Sequence, residues 1–495
     1  MRTVLTADQM RQLEAECFER GVPSIDAMER AAEAVVEELC RRLPPRALVH
    51  FACGPGNNGG DGYAAARLYA LRGGRSVVLP LGVEARLKGD ALTNCVRAHE
   101  TPRVWFRDPE VPGERPDAWV DALFGIGIKR PLDEASLKLV RRMAADRKLG
   151  SLVVAVDMPS GLDATTGRAL GEAVQADVTV TFEYLKSGHV LSAGPEYTGR
   201  VVAVPVGLSG DTPGAAQLIE AGDLKGALPR RSRESHKNTF GHLLLVAGSV
   251  GMAGAALIAA RAALKSGVGL LTIACPASIV PILQLGAPTA LCAPLPEENG
   301  AIAEAGLPVL LEELKGKTAV AIGPGLSRRA HPGAVRLVLE SGLPAAVDAD
   351  GLNILSENPA LLALLRPCHV LTPHPGEASR LTGEKPVDLI GGAQALYALG
   401  ATAILKGPTS AICGEDGLRL SMSGSPGMAR AGSGDALTGI LGALLAQRLP
   451  AGKAAWVADE LHGLAGERAA EKYGFVSMSA MDLVDCISEV ISHAI

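Results

Sequence analysis

Cys53-Gly54-Pro55-Gly56-Asn57-Asn58-Gly59-Gly60-Asp61-Gly62 crowds five glycines and three ligand-capable side chains into one short stretch. Without Cβ atoms, successive backbone N–H groups can turn inward. A helix starting here adds its positive end, so the stretch suits an anion such as a phosphate. A tight strand-to-helix turn that binds nothing needs only the glycines. Asn57, Asn58 and Asp61 need partners as well, which favours a ligand. Two further segments carry carboxylates. Val120-Asp121-Ala122 runs into Leu123-Phe124-Gly125-Ile126-Gly127-Ile128-Lys129-Arg130-Pro131, an acid in an apolar run followed by a glycine loop with two cations. Buried and unpaired, Asp121 would cost several kcal/mol, so it requires a cation or donors. Val156-Asp157-Met158-Pro159-Ser160-Gly161-Leu162-Asp163 ends another run in an acidic turn.

The second half offers different chemistry. Pro426 to Asp435 leads into a helical pattern with Leu437, Ile440, Leu441, Leu444 and Leu445 on one face. Small residues at 431–434 leave N–H groups free at the helix start, an anion hole for a phosphoryl group in transfer. Asp435 in the first turn can accept a proton from a hydroxyl nucleophile. The plainer alternative is an aspartate that only stabilises the helix dipole. Other segments at strand ends are Gly248 to Ala255, Gly323-Pro324-Gly325, Asp348 to Asn353, Thr372-Pro373-His374-Pro375 and Lys406-Gly407-Pro408-Thr409-Ser410.

The motifs of residues 1–220 resemble the NAD(P)H-hydrate epimerases. That resemblance implies substrate contacts at Asn57, Asn58, Gly59, Gly60, Asp61, Gly125, Ile126, Gly127, Ile128, Lys129, Arg130, Pro131 and Asp157. It also implies potassium held by Asn58, Asp121 and Ser160, whose hard oxygen donors suit a hard cation. Residues 225–495 resemble the ribokinase-like family, in its ADP- or ATP-dependent NAD(P)H-hydrate dehydratase branch. There the implied contacts to the hydrated dinucleotide are Ala255, Gly325, His374 and Asp435. Lys406, Gly407, Pro408, Thr409, Ser410 and Gly434 would meet the nucleotide. Ala431-Gly432-Ser433 stands where that branch more often has Gly-Gly-Thr. The fused arrangement resembles proteins that use ADP, and phosphoryl transfer implies magnesium.

The implied chemistry is repair of hydrated NADH or NADPH. Hydration leaves a hydroxyl carbon beside the ring nitrogen, in either configuration. A phosphoryl-transfer site with a fixed base can use one of them, because the hydroxyl must lie in line with the phosphorus. An epimerase on the same chain lifts that limit. Asp157 would exchange a proton with the ring hydroxyl, and Asp435 would activate it toward ADP. A small-molecule kinase with an accessory nucleotide- or RNA-binding domain is the competing reading.

These segments need strands to hold them. Apolar runs at 47–52, 76–79, 118–124, 152–156 and 178–182 alternate with helical segments, and so do runs at 242–247, 270–274, 318–322, 344–347, 370–372 and 401–405. That rhythm predicts α/β domains with parallel sheets covered on both faces. Two three-layer α/β/α domains are expected, the first Rossmann-like and the second ribokinase-like. A Gly- and Arg-rich stretch at 207–233 separates them, giving domains 1–224 and 225–495. A helix over Tyr63–Leu71 is expected to place Ala64, Leu68 and Leu71 on one face.

Composition narrows the class. Lys and Arg number 48 against 53 Asp and Glu, and aromatics are 3%, which argues against nucleic-acid binding by bulk charge or base stacking. The most apolar stretch, 243–274, carries Arg261 and Lys265, so a membrane span is not expected. Nine scattered cysteines without a C-x-x-C pair fit a reducing cytoplasm. An assembly of identical subunits is the expected state.

Overall fold

The apolar runs become central strands of two largely parallel sheets in a computed structural model that describes every residue except Pro112, Val387 and Ile495. The chain divides into two compact units, Arg2–Ala215 and Ala216–Ile495, the latter taking Met1. The second unit begins at 216 rather than 225, because the short strand Ala216–Leu218 runs parallel to Gly417–Ser421 and extends its sheet.

In the first unit the sheet order is Val104–Phe106, Arg75–Pro80, Leu48–Cys53, Ala118–Ala122, Leu152–Val156, Val178–Phe182 and Arg200–Val204, all parallel. Strand order reverses between Leu48–Cys53 and Ala118–Ala122, the place where such sheets open a crevice. Successive side chains alternate between two cores. Val49, Phe51 and Cys53 pack with the helices Ala7–Glu19, Ser24–Arg42 and Asn57–Leu71, while Leu48 and Ala52 pack with Glu134–Lys148. The edge strands Val104–Phe106 and Arg200–Val204 are half-buried, and their short apolar runs, Val104-Trp105-Phe106 and Val201 to Val204, were not among the expected strands.

The helix after the glycine loop starts at Asn57, not at Tyr63, and Leu71 is 64% exposed. Its buried side chains are Tyr63, Ala64, Ala65, Ala66, Tyr69 and Ala70. Glycine explains the shift. A Cβ on Gly59 would sit 1.9 Å from the Gly54 carbonyl oxygen, and one on Gly62 would sit 2.6 Å from Ala122 Cβ. The glycine-rich first turns therefore press onto the sheet as helix, and small residues form the contact face.

The second sheet runs Leu291–Leu295, Leu270–Pro276, His242–Val246, Ala319–Ile322, Ala345–Val347, His369–Leu371 and Thr402–Leu405 in parallel. An antiparallel hairpin, Ser410–Gly414 and Gly417–Ser421, follows. Helix Ser433–Ala446 buries the five predicted residues, but everything from Ala436 to Ala446 is buried too. It is apolar all round because it packs within one core among Ala253–Lys265, Ala480–Ala494 and the strands. Among the described residues no helix is long and apolar enough to cross a membrane, and all nine cysteines are free thiols.

His50 lies 1% exposed on a central strand, edge-on to Trp119, with both ring nitrogens lacking hydrogen-bond partners. Burial pulls its pKa down to about 4. The unfolded chain therefore binds a proton that the native state refuses, and this penalty grows as pH falls from about 6.5 toward 4. His50→Phe is expected to raise the denaturation midpoint, with an extra gain of about 2 kcal/mol at pH 5 relative to pH 8. Urea unfolding at the two pH values checks this. An equal gain at both would reject the buried neutral imidazole.

Candidate active sites

A cleft of about 1130 Å³ opens at the switch point of the first sheet. Asn57, Asn58, Asp61, Gly125 through Pro131 and Asp157 line it. Lys129 and Arg130 are exposed at its rim. Gly59 and Gly60 are buried in the helix's first turns and do not line the cleft. Gly54 explains the close approach of the two loops, since a Cβ there would fall 1.8 Å from the Leu123 carbonyl oxygen.

Beneath the loops lies Asp121, fully buried. Its Oδ1 accepts from Ser160 Oγ at 2.6 Å and Leu123 N at 3.3 Å, and its Oδ2 accepts from Ser160 N at 2.8 Å. Burial pushes its pKa up to about 6, against those hydrogen bonds. Asn58 Nδ2 is buried without a partner, and Asn58 Oδ1 lies 2.9 Å from where a Gly125 Cβ would stand. The donors at this spot are amide, carboxylate and hydroxyl oxygens around a fully buried carboxylate. They fit an alkali-metal cation.

Asp157 sits at φ 63°, an uncommon backbone for a non-glycine residue, at the end of its strand. The strain is held by long-range bonds. His189 Nε2 lies 2.8 Å from the Asp157 carbonyl oxygen, and His189 Nδ1 accepts from Lys186 N at 3.0 Å. Those roles place the proton on Nε2, and burial lowers the imidazole pKa to about 4. Lys186 is 1% exposed, and its Nζ donates to Asp157 Oδ1 at 2.6 Å, Thr181 Oγ1 at 2.9 Å and the Phe182 carbonyl at 3.0 Å. Burial works to raise Asp157, but Lys186 and Thr181 outweigh it and hold the carboxylate ionised below its ordinary range. Lys186 was missed in the sequence. Its one signal is a lone lysine in the apolar neighbourhood Tyr184-Leu185-Lys186.

The second site gathers at the start of helix Ser433–Ala446. Gly432, at φ 94°, turns the chain into the helix, and Asp435 stands in its first turn. Burial, then repulsion from Asp348, raises Asp435 to about 6 against the pull of Lys406. Lys406 Nζ donates to Asp348 Oδ1 at 2.8 Å, and Thr438 Oγ1 donates to Asp348 Oδ2 at 2.7 Å. Burial works to raise Asp348 as well, yet these partners hold it low. Lys406 is about a quarter exposed, and desolvation alone would lower its pKa, but Asp348, Glu377 and Asp435 raise it. Gly434 lies against this pair, its Cβ direction 3.4 Å from Lys406 Nζ.

His374 caps helix Pro375–Thr382. Its Nδ1 accepts from Gly376 N at 3.0 Å and Glu377 N at 3.3 Å, so Nε2 carries the proton, and it lies 3.5 Å from Glu377 Oε1. Gly325, at φ 59°, packs so tightly that a Cβ would meet Met252 O at 2.5 Å and Ala255 Cβ at 2.9 Å. Ala255 and Gly325 are thus neighbours. Lys406 to Ser410 form the turn between Thr402–Leu405 and Ser410–Gly414, with Gly407 and Pro408 exposed and Thr409 buried. Asp348 stood in the sequence as a strand-end acid, but its bridge between Lys406 and the helix needed the structure.

A glycine-lined cleft with a hard-oxygen pocket, and an acid–lysine site at a helix start, define a two-site α/β enzyme for nucleotide-like substrates. Residues 24–188 match the YjeF-related protein N-terminus family, and residues 243–489 match the NAD(P)H-hydrate dehydratase family. The bifunctional NAD(P)H-hydrate repair enzyme of Moorella thermoacetica is 38% identical, covering 99% of this chain and 97% of its own. That of Escherichia coli is 34% identical, covering 99% and 94%. The ADP/ATP-dependent NAD(P)H-hydrate dehydratase structure from Bacillus subtilis aligns at 30% identity over 57% of this chain and 99% of its own, with TM-score 0.48. The chain belongs to the bifunctional NAD(P)H-hydrate repair enzyme family.

Proposed function

We propose that the chain repairs hydrated NADH and NADPH at two sites. The first unit interconverts the R and S epimers. The second dehydrates the S epimer at the expense of ADP, releasing AMP and phosphate. The observation that carries this is a raised, half-buried Asp435 set one residue after Gly434 at a free helix N-terminus, with Lys406 alongside.

In the second unit Asp435 accepts the ring hydroxyl's proton as the oxygen attacks the terminal phosphate. Lys406 and the helix N-terminus balance charge on the transferred group. Phosphate then leaves the ring carbon as the nitrogen lone pair forms C=N, and loss of the proton on the neighbouring ring carbon to solvent restores the ring double bond. His374 Nε2, Ala255 and Gly325 face the dinucleotide, and Lys406 through Ser410 with Gly434 cradle the nucleotide. Magnesium would travel with ADP. In the first unit, Asn57, Asn58 and Asp61 take the substrate's phosphate end with the loop 125–131, and Asp157 meets the ring. Potassium held by Asn58, Asp121 and Ser160 would neutralise the buried carboxylate and fix both loops.

Incubating the whole chain with ADP and a mixture of hydrated NADH epimers tests the reading. Full recovery of the reduced-nicotinamide absorbance is expected. A plateau at half recovery would remove the epimerase, and no recovery with ADP or ATP would remove the dehydratase.

A further inference from the structure

Helix Ala7–Glu19 lies outside the motifs that mark the first cleft and outside the residues 24–188 of the family match. Thr6 and Gln9 form a capping box that starts it. Arg11, Glu14 and Phe18 on this helix line the cleft. Arg11 donates to the Ile126 carbonyl at 2.8 Å, tying the helix to the loop 125–131. Glu14, Asp61 and Asp157 therefore border one cavity, with the buried Lys186 ammonium bonded to the last of them.

The three carboxyls are not equivalent. Asp157 Oδ1 takes hydrogen bonds from Lys186 and Thr181, so Asp157 is ionised and has no proton to give. Loss of the ring hydroxyl needs a proton, because hydroxide is a poor leaving group. We propose that Glu14 is the general acid of the epimerase site, protonating the leaving ring hydroxyl while Asp157 stays ionised beside Lys186. This rests on the epimerase reading above. Burial, then Asp157, pushes Glu14 up to about 7, against Lys186 and Arg11. Burial, then Asp157 and Glu14, also drives Asp61 well above its ordinary value. Glu14 brings its carboxyl into the cleft from a helix that Arg11 ties to the loop 125–131, and it can give a proton and take it back near neutrality.

The step balances. The Glu14 proton passes to the hydroxyl oxygen, and the C–O bond breaks with its electron pair, releasing water. The ring-nitrogen lone pair forms a C=N bond, and Asp157 faces the resulting cation. Water adds to the same carbon from the other face while the C=N pair returns to nitrogen. Its surplus proton passes through the solvent of the open cleft to the Glu14 carboxylate, so nothing is consumed.

The test uses the whole chain and separated epimers of hydrated NADH, with interconversion followed by chromatography across pH. Glu14→Gln is expected to lower kcat about 10²-fold or more, with KM changed by less than about threefold. The wild-type profile should fall above about pH 7, where Glu14 loses its proton, and the variant should lack that limb. Glu14→Asp, which keeps a carboxyl, should recover much of the rate. Thermal unfolding confirms that the variants fold. A Glu14→Gln enzyme within about threefold of wild type, or one that keeps the high-pH limb, overturns the assignment. If the wild-type chain does not interconvert the epimers, the epimerase reading fails and takes this assignment with it.

Discussion

Asp435→Asn is expected to slow dehydration of hydrated NADH by ~10³-fold while epimer interconversion continues at the wild-type rate. The amide keeps the side chain's size and removes its basicity, and the epimerase cleft is lined by first-unit residues. The pH dependence follows from the site. Burial and Asp348 raise Asp435 to about 6, so its base form is present above that value and lost as pH falls through it. Wild-type dehydration should decline below about pH 6. Single-turnover assays with ADP and the S epimer measure both effects. A variant that still restores NADH at a comparable rate would assign the base elsewhere.

Lys186→Met should abolish epimerisation and weaken the first unit by about 3–5 kcal/mol, the scale for stranding one partner of a buried ion pair. The ammonium offers three donors, and the structure presents three acceptors within 2.6 to 3.0 Å. Removing it leaves Asp157 without its counter-charge at a backbone angle of φ 63°. Without Lys186, burial would raise the Asp157 carboxyl's affinity for a proton, and the site would lose the charge that faces the ring. Lys186→Arg should not restore activity, because a planar fork does not match three converging acceptors. Thermal unfolding of the first unit's transition and epimer chromatography decide the matter. Unchanged stability in Lys186→Met would show that the pair is not what holds this corner.

Much of the architecture was legible because it is local. Continuous apolar runs between glycine turns mark central strands of parallel sheets, and that period survives in the chain wherever both faces are covered. The edge strands Val104–Phe106 and Arg200–Val204 escaped although their residues are apolar, the first being only a three-residue strand. Asp121 announced its need for partners through its apolar neighbours, and Ser160 met that need. The face expected from Ala64, Leu68 and Leu71 failed for a different reason. Glycine let the helix start two turns early and press its small residues inward, and no hydrophobic period encodes close approach.

Sequence alone determined the strand–loop–helix rhythm, the glycine loops and the candidate acids, since each is written in the types and spacing of neighbouring residues. Tertiary structure decided which acids hold protons. Lys186 reaches Asp157 across 29 positions and Lys406 reaches Asp348 across 58, and Glu14 joins the first cleft from a helix at the start of the chain. Charge state depends on burial and on the nearest opposite charge, and the folding of the sheets sets both.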